Sequence, residues 1–261
     1  MSDAPQDPHD RSESRSDEPN APRKEKKKQR SFWRELPILV LVALVLSFLL
    51  QTFIARVYLI PSESMEPTLH GCAGCTGDRI VVEKIGYRFG DPKPGDVVVF
   101  RGPDSWNSDF VSTRSDNTIV RGAQEVGSLI GIVAPDENDL VKRVIATGGQ
   151  TVECCDDQGR VLVDGKPLDE PYVQMDFPFT PGVLTCDTEL KSGRCFPAVT
   201  VPEGNLWVMG DNRSNSADSR FHVSDELMGT VPVDNVIGKA FLIALPPSRW
   251  GTLDSPDIQG Q

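Results

Sequence analysis

The sequence predicts a mainly β body carried on a single N-terminal transmembrane helix. Three observations lead to this fold class. A charge-free apolar stretch lies near the N-terminus, short β-branched runs separated by turn residues follow it, and all six cysteines lie on its C-terminal side. We therefore expect three parts: a disordered tail at 1–35, a transmembrane helix at 36–56 and an extracytoplasmic domain at 57–261.

The tail is polar and ends in a concentrated basic run. Apart from proline, residues 1–31 contain three apolar residues, too few to offset the entropy lost on ordering the segment. Residues 23–34 hold seven basic side chains against Glu25, a pattern that alone is typical of a solvated charge run or a nuclear signal. The chain as a whole has 27 basic and 38 acidic residues, a net charge of -11, so we expect no nucleic-acid partner.

The apolar stretch at 36–55 is long enough to cross a bilayer as a helix. Its twenty residues carry no charge, fourteen of them are Leu, Ile, Val or Phe, and a helix of that length spans about 30 Å. A cleaved secretory signal is the competing interpretation, but Phe53 and Ala55 would make a poor cleavage site. The basic run before the stretch predicts a cytoplasmic N-terminus and a body outside the cytoplasm.

The body is predicted to be built mainly from strands. Short apolar, β-branched runs separated by turns lie at 97–100, 140–146, 160–165 and 236–245, and 206–209 is a further candidate strand. Residues 102–135 form an insertion, which would either rest in the membrane interface or pack as a loop on the body.

The cysteines lie on the oxidising side of the predicted membrane helix, which favours disulfides over metal ligands. We expect the pairs Cys72–Cys75 and Cys186–Cys195. Cys154 and Cys155 are expected to stay free or to pair elsewhere, because a bond between adjacent cysteines closes a strained eight-membered ring. The CxxC could also be a redox centre, but no thioredoxin-like βαβ pattern surrounds it. No cluster has zinc-ligand spacing, so we expect no metal and no cofactor.

Two serines, Ser62 and Ser64, lie in a proline-bounded segment directly after the apolar stretch. Two prolines six residues apart restrict the backbone here and could hold a serine hydroxyl in a fixed, exposed position. A nucleophilic serine needs a base, most often histidine. The body contains two histidines, His70 and His222, so few candidates exist for the base of a histidine triad.

Lys142 is the other candidate base. It lies in the predicted strand at 140–146, where alternate side chains share a face, so it lies on the same face as Leu140 and Val144. An ammonium among apolar neighbours loses hydration, which lowers its pKa and makes a neutral amine available as a base. On the pattern alone, a solvated strand lysine is the alternative interpretation.

A dense polar run at 210–220 follows the candidate strand at 206–209. Its Asx and Ser side chains can bond to neighbouring backbone groups and so fix a loop, and Asp218 and Arg220 could brace that loop as an ion pair. As an isolated feature it predicts a turn-rich loop.

Four motifs, in this order and after an apolar N-terminal stretch, resemble those of the bacterial type I signal peptidases. They are Ile-Pro-Ser-x-Ser-Met-x-Pro-Thr-Leu at 60–69, Gly-Asp-Val-Val-Val-Phe at 95–100, Lys-Arg-Val-Ile-Ala at 142–146 and Gly-Asp-Asn-Arg-x-Asn-Ser-x-Asp-Ser-Arg at 210–220. The resemblance implies a serine endopeptidase, anchored in the bacterial cell membrane, that removes signal peptides from exported preproteins with a Ser/Lys dyad. The implied partners are preproteins, the bilayer and the export machinery. It also implies that 150–205 is a smaller, variable β subdomain.

The same resemblance assigns roles to individual residues. Ser64 would be the nucleophile and Lys142 the general base, while Ser62 would donate its hydroxyl to the oxyanion together with the Ser64 backbone N–H. Ser216 would hydrogen-bond to Lys142 and orient it. A supporting ion-pair cluster behind the dyad would consist of Arg143, Asp218 and Arg220.

Substrate choice in such enzymes follows an Ala-x-Ala rule, in which shallow pockets accept small side chains. The resemblance assigns their lining to seven residues: Tyr58, Ile60, Pro61, Met65, Leu69, Leu140 and Val141. One departure lies in the motif itself, where Glu63 takes a position at which the family often has glycine. The rival hypothesis from another class is a non-enzymatic, disulfide-stapled β module that binds peptides or envelope proteins.

Overall fold

The computed structural model describes residues 32–72, 74–106, 115, 117–129 and 139–260. The chain divides into two units, residues 1–41 and 42–261. The predicted disordered tail lies outside the described residues as far as position 31.

The first described element is a 22-residue helix, α1 (Phe32–Phe53), which covers most of the predicted anchor. It begins four residues before the predicted start, so Pro37 lies inside it. Among the residues that the structure describes, no helix is long and apolar enough to cross a membrane. The side chains of Phe32, Trp33, Arg34, Phe48, Leu50, Gln51 and Thr52 in α1 lie outside the described ones. The predicted membrane crossing at 36–56 is therefore not confirmed.

The described residues that follow α1 are mainly β. In chain order the strands are β1 (Ala55–Leu59), β2 (Arg79–Glu83), β3 (Val97–Arg101), β4 (Asp139–Thr147), β5 (Thr151–Cys154), β6 (Val161–Val163), β7 (Lys166–Pro167), β8 (Phe196–Thr200), β9 (Asn205–Met209), β10 (Val231–Pro232), β11 (Val236–Leu245) and β12 (Gly251–Thr252). The short apolar runs that predicted strands therefore form β3, β4, β6, β9 and β11, which confirms the mainly β prediction.

These strands form two antiparallel sheets. The larger has the order β1-β2-β11-β3-β4-β9-β10, with β12 paired to β11. The smaller has the order β7-β6-β5-β8 and is built from residues 151–200, within the range where a β subdomain was predicted. Because β5 directly follows β4 and β8 directly precedes β9, the smaller sheet is an excursion between two neighbouring strands of the larger one.

Short helices complete the body. Two are α-helical, α2 (Gly86–Phe89) and α3 (Thr118–Leu129). Five single 3-10 turns lie at Glu63–Met65, Asp104–Trp106, Ser219–Phe221, Val233–Asn235 and Pro247–Arg249.

The central strand β3 is buried on both faces. Val97 and Val99 pack into one apolar cluster and Val98 and Phe100 into another, and all four are fully buried. A strand covered on both faces reads as a continuous apolar run rather than an alternating one, which is the pattern that the sequence has here. Since β4 is hydrogen-bonded to β3 along residues 139–143, the strand that carries Lys142 has a rigid neighbour.

The three disulfides are Cys72–Cys75, Cys154–Cys155 and Cys186–Cys195. The first and third confirm the predicted pairs. The prediction for Cys154 and Cys155 is wrong, because these two are joined to each other. Adjacent side chains of a regular strand point to opposite faces, but β5 ends at Cys154 and the peptide bond that follows is cis, with the two Cα atoms 3.0 Å apart.

The insertion at 102–135 is described only in part, since 107–114, 116 and 130–138 lie outside the described residues. Its beginning is fixed to the body. The Trp106 ring stacks on His222 with ring centroids 4.4 Å apart, and Ser105 Oγ donates a hydrogen bond to the Asp225 carboxylate at 2.6 Å. Part of the insertion therefore packs on the body, whereas α3 exposes Ile119 and Val120.

We predict that Ile80→Ala lowers the free energy of unfolding by about 2–5 kcal/mol, because Ile80 is fully buried in the cluster around β1, β2 and β11. Ile119→Ala is the matched control, since that side chain is 84% exposed on α3 and its loss should change stability by less than about 0.5 kcal/mol. Urea unfolding followed by circular dichroism measures both. Equal effects of the two substitutions would contradict the burial described above.

Candidate active site

The predicted nucleophile segment forms a single 3-10 turn, Glu63–Met65, directly after β1. It is held to the body by its apolar neighbours, since Met65 and Leu69 are buried in the same cluster as Ile80. Ser62 Oγ and Ser64 Oγ lie 3.3 Å apart on the open side. The turn therefore presents two hydroxyls while its following residues anchor it.

Lys142 reaches this turn from β4. Its Nζ lies 2.7 Å from Ser64 Oγ and donates a hydrogen bond to it, although 78 residues separate the two in sequence. The side chain is 4% exposed. Burial lowers the pKa of Lys142 to about 8, against the charges of Asp218 and Asp211, which raise it. A substantial fraction of this amine is therefore neutral near pH 8.

The polar loop at 210–220 is bound to the nucleophile turn by backbone and amide contacts. The Asn212 backbone N–H donates to the Ser64 carbonyl at 3.1 Å, and Asn212 Nδ2 donates to the Glu63 carbonyl at 3.2 Å. Asn215 Nδ2 donates to the Glu63 carboxylate at 3.0 Å. Glu63, the departure from the family motif, thus contacts this loop through both its backbone and its side chain.

Gly210 lets the loop and the turn approach each other closely. A Cβ at this position would lie 2.4 Å from the Ser64 carbonyl oxygen and 2.2 Å from Ser216 Oγ, distances that real Cβ atoms do not adopt. The Ser216 hydroxyl is buried but has no hydrogen-bond partner among the described residues. The hydrogen bond predicted from Ser216 to Lys142 is therefore not formed here, because Lys142 Nζ is directed at Ser64 and Ser216 Oγ packs against Gly210.

Asp218 and Arg220 form the predicted ion pair. Arg220 Nε and Nη2 donate to the two Asp218 carboxylate oxygens at 2.8 and 2.9 Å, and the Gly210 N–H donates to the same carboxylate at 2.9 Å. Burial would raise the pKa of Asp218, but the Arg220 charge and these hydrogen bonds outweigh it, so the pKa lies below its usual range. Asp218 is fully buried and stays ionised. It fixes the start of the loop beside Lys142.

Arg143 belongs to a separate ion pair. Instead of joining Asp218, it donates to both carboxylate oxygens of Asp211, at 2.9 and 2.7 Å, and stacks on the Tyr172 ring at 4.0 Å. The prediction of one cluster of Arg143, Asp218 and Arg220 is therefore wrong in this detail. Neighbouring residues on a strand point to opposite faces, so Arg143 leaves β4 on the face opposite Lys142 and meets a different carboxylate.

Asp211 connects the two catalytic segments through this second pair. Besides Arg143 it accepts a hydrogen bond from Thr68 Oγ1 at 2.5 Å, and Thr68 lies four residues after Ser64. Neither Asp211, Asn212 nor Thr68 was predicted as a site residue. The sequence did contain a signal for them, since all three are named positions in the quoted motif strings, but a motif does not show which partner a polar side chain has.

The two histidines of the body do not act on Ser64. His70 Nδ1 pairs with Glu66 at 2.5 Å, and His222 stacks on Trp106. Among the described residues, the side-chain partners of the Ser64 hydroxyl are Lys142 and Ser62. The geometry therefore favours lysine over histidine as the base.

The seven predicted substrate-binding residues differ in exposure. Tyr58, Ile60, Met65 and Leu69 are at most 4% exposed and belong to the apolar cluster beneath the nucleophile turn. The other three, Pro61, Leu140 and Val141, are exposed or half-buried. These three are therefore accessible to a bound peptide, while the first four form the floor on which the turn rests.

Two groups of side chains could converge on a metal ion within the described residues. One is His70, Cys72 and Cys75, and the other is Cys154, Cys155 and Cys186. In both groups every sulfur belongs to a disulfide, which removes the thiolates that a soft metal ion needs.

Comparison with known proteins gives one consistent result. Residues 33–245 match the family described as signal peptidase, peptidase S26. The chain is 56% identical over 238 residues to a signal peptidase I of Mycobacterium tuberculosis, covering 88% of this chain and 79% of that protein. It is 53% identical over 251 residues to a probable signal peptidase I of Mycobacterium leprae, covering 90% and 83%. A probable signal peptidase I-1 of Synechocystis is 39% identical over 224 residues, covering 86% and 88%.

We predict that Asp211→Asn lowers the free energy of unfolding by about 3–5 kcal/mol, because it leaves the buried Arg143 guanidinium without a counter-charge. Arg160→Ala breaks an ion pair with Asp156 in which the Arg160 side chain is 47% exposed, and should cost no more than about 1 kcal/mol. Thermal or urea unfolding compares the two variants. A loss at Asp211 as small as that at Arg160 would show that the buried pair does not brace the site.

Proposed function

The chain belongs to the signal peptidase family, peptidase S26, and is a serine peptidase that cleaves signal peptides; on that premise we propose that Ser64 and Lys142 are its catalytic dyad. The observation that carries the proposal is the 2.7 Å contact between Lys142 Nζ and Ser64 Oγ, with the amine buried and its pKa lowered to about 8. A nucleophilic serine needs an adjacent base that is neutral at working pH, and this amine meets both conditions.

The reaction begins when Ser64 Oγ attacks the carbonyl carbon of the scissile peptide bond and the neutral Lys142 amine takes the hydroxyl proton. The resulting ammonium gives that proton to the leaving amine as the C–N bond breaks, which leaves an ester between Ser64 and the signal peptide. Water then attacks the ester while Lys142 takes its proton, and Ser64 is released in its hydroxyl form. Every proton in the cycle passes through one nitrogen.

Ser62 supports this step as an oxyanion donor. Its hydroxyl lies 3.3 Å from Ser64 Oγ, within reach of an oxygen that develops next to the nucleophile. The Ser64 N–H lies in the first turn of a helix, where backbone donors have no partner within the helix. A hydroxyl and an N–H converging on one oxygen stabilise its charge in the transition state, and removal of one such donor typically costs 100- to 1,000-fold in kcat.

The two ion pairs position the dyad rather than react. The Asp218–Arg220 pair fixes the loop that covers Lys142, and the Arg143–Asp211 pair ties β4 to the nucleophile segment through Thr68. Ser216 has a buried hydroxyl beside Gly210 with no hydrogen-bond partner among the described residues.

We propose cleavage after Ala-x-Ala, and the apolar cluster beneath the turn supports this specificity. Tyr58, Ile60, Met65 and Leu69 are buried there, and an apolar surface of this kind favours small apolar side chains of a substrate. Pro61, Leu140 and Val141 would flank the bound peptide, since they remain accessible.

The sequence supports an anchor in the bacterial cell membrane, with the N-terminus in the cytoplasm and the body outside it. Residues 36–55 are uncharged and the seven basic residues at 23–34 precede them. Several of the described apolar side chains of α1 are at least half exposed, among them Ile38 at 63% and Leu41 at 61%, as suits a helix whose surroundings are lipid. Preproteins, the bilayer and the export machinery are the corresponding partners. A non-enzymatic β module would explain an anchor and disulfides but not a buried lysine against a serine.

We predict that Ser64→Ala and Lys142→Ala each lower kcat by at least about 1,000-fold, because one removes the nucleophile and the other its base. The assay uses the detergent-solubilised full chain and a preprotein whose signal ends in Ala-x-Ala, with EDTA present. Ser255→Ala and Lys166→Ala replace exposed residues of the same types and should leave the rate unchanged. Cleavage that survives either dyad substitution would rule out the dyad.

We also predict that kcat/KM rises with pH and levels off above about pH 8. Below that value Lys142 is protonated and has no lone pair to take the Ser64 proton, so activity is lost as the pH falls. A pH profile from 5 to 10, measured with a peptide substrate that has no titrating group, reports the pKa of the free enzyme. A kcat/KM that is still rising steeply at pH 10, as the ordinary lysine pKa of 10.5 requires, would show that the base is not desolvated as described.

A further inference from the structure

The segment after the nucleophile turn is closed by a disulfide whose role the mechanism does not explain. Cys72 and Cys75 lie between Leu69 and β2, three residues apart, and Cys75 is exposed. At least one half of this disulfide is therefore carried by a residue that reductants in the medium can approach. We call the described residues 70–72 and 74–78 the disulfide loop.

The two ends of the disulfide loop are held together by a backbone hydrogen bond and by a buried carboxylate. The Asp78 N–H donates to the His70 carbonyl at 2.8 Å, and the His70 N–H donates to Asp78 Oδ2 at 2.8 Å. Asp78 is fully buried. Arg249 Nε donates to both of its carboxylate oxygens, at 2.9 and 3.1 Å, and Arg249 Nη2 donates to the Thr68 carbonyl at 3.2 Å. These contacts tie the disulfide loop to the end of the nucleophile segment.

The disulfide loop also lies directly against the backbone of the oxyanion serine. A Cβ on Gly71 would lie 2.8 Å from the Ser62 carbonyl oxygen and 2.5 Å from that of Ile60, and a Cβ on Gly77 would lie 2.1 Å from the Ile60 oxygen. The Ile60 N–H donates to the Asp78 carbonyl at 2.8 Å. Gly71 is adjacent to Cys72, so a single residue separates the disulfide from the backbone of Ser62.

We propose that the disulfide loop positions Ser62, so that the Cys72–Cys75 bond acts as a redox control on the oxyanion site. This inference rests on the proposed function. A dithiol supplies two electrons and two protons to the disulfide, giving two thiols and the cyclic disulfide of the reductant. The opened segment gains conformational freedom, the Gly71 backbone no longer fixes the Ser62 carbonyl, and the Ser62 hydroxyl loses its alignment with the developing oxyanion.

The principal experiment compares Cys72→Ser/Cys75→Ser with Cys186→Ser/Cys195→Ser in the full-length, detergent-solubilised chain, with EDTA present so that freed ligands cannot bind a metal ion. The first variant is expected to lower kcat about 10- to 100-fold with KM unchanged, since misalignment affects the transition state. The second removes a disulfide within the smaller β region and should retain the wild-type kcat. Equal kcat values for the first variant and the wild type would overturn the proposal.

A double-substitution cycle distinguishes positioning from general loosening. If the disulfide loop acts through Ser62, removing the disulfide in a Ser62→Ala background should cause no further loss of kcat. Losses that multiply would overturn the proposal, because the loop would then act on another part of the site.

Gly71→Ala tests the same contact with the disulfide intact, in case the cysteine variant does not fold. It should lower kcat as the disulfide variant does, because the added methyl displaces the Ser62 carbonyl. Gly90→Ala is the control, since its nearest neighbour would lie at 3.7 Å. An unaffected kcat in Gly71→Ala would contradict the contact. Wild-type cleavage in the same assay reports separately on the proposed function, and its absence would overturn both proposals.

Discussion

The candidate active site depends on the burial of one amine. Lys142 is held in a dry position by β3 on one side and by the loop at 210–220 on another, and this burial lowers its pKa toward neutrality. The nearby carboxylates of Asp218 and Asp211 oppose this lowering of the pKa. The pKa of the amine is therefore set by the balance between its burial and these two negative charges. The surrounding fold can be understood as the means of keeping water from this nitrogen while leaving Ser64 accessible from the open side.

The other buried charges of the site are arranged so that they do not hold Lys142 in its charged form. Asp218 and Asp211 each have an arginine partner, so neither carboxylate is free to form a direct ion pair with Lys142 and fix it as an ammonium. The bidentate pairs also give the loop a definite geometry, which Gly210 brings within contact of the Ser64 carbonyl. Electrostatic tuning and mechanical support are thus supplied by the same side chains.

The strands and the contact between Ser64 and Lys142 were predictable from the sequence because they depend on local pattern and on residue type. Continuous apolar runs such as 97–100 mark central strands, and a lysine in an apolar strand beside a serine motif marks a base. Pairing between distant polar groups was not predictable: Arg143 was assigned to the wrong carboxylate, and Ser216 was assigned a hydrogen bond that the loop geometry does not provide. The Cys154–Cys155 bond was not predictable either, because adjacent side chains of a regular strand point to opposite faces, and the sequence did not show that β5 ends at Cys154.

The long sequence separation between the reacting groups has a consequence for the life of the enzyme. Ser64 and Lys142 are 78 residues apart, and the Thr68–Asp211 contact spans 143 residues. A nascent chain that ends before residue 142 contains Ser64 without its candidate base, and one that ends before residue 211 also lacks the carboxylate that holds Thr68. Contacts between residues so far apart in sequence are slow to form, so the candidate site is assembled only after most of the body has been synthesised.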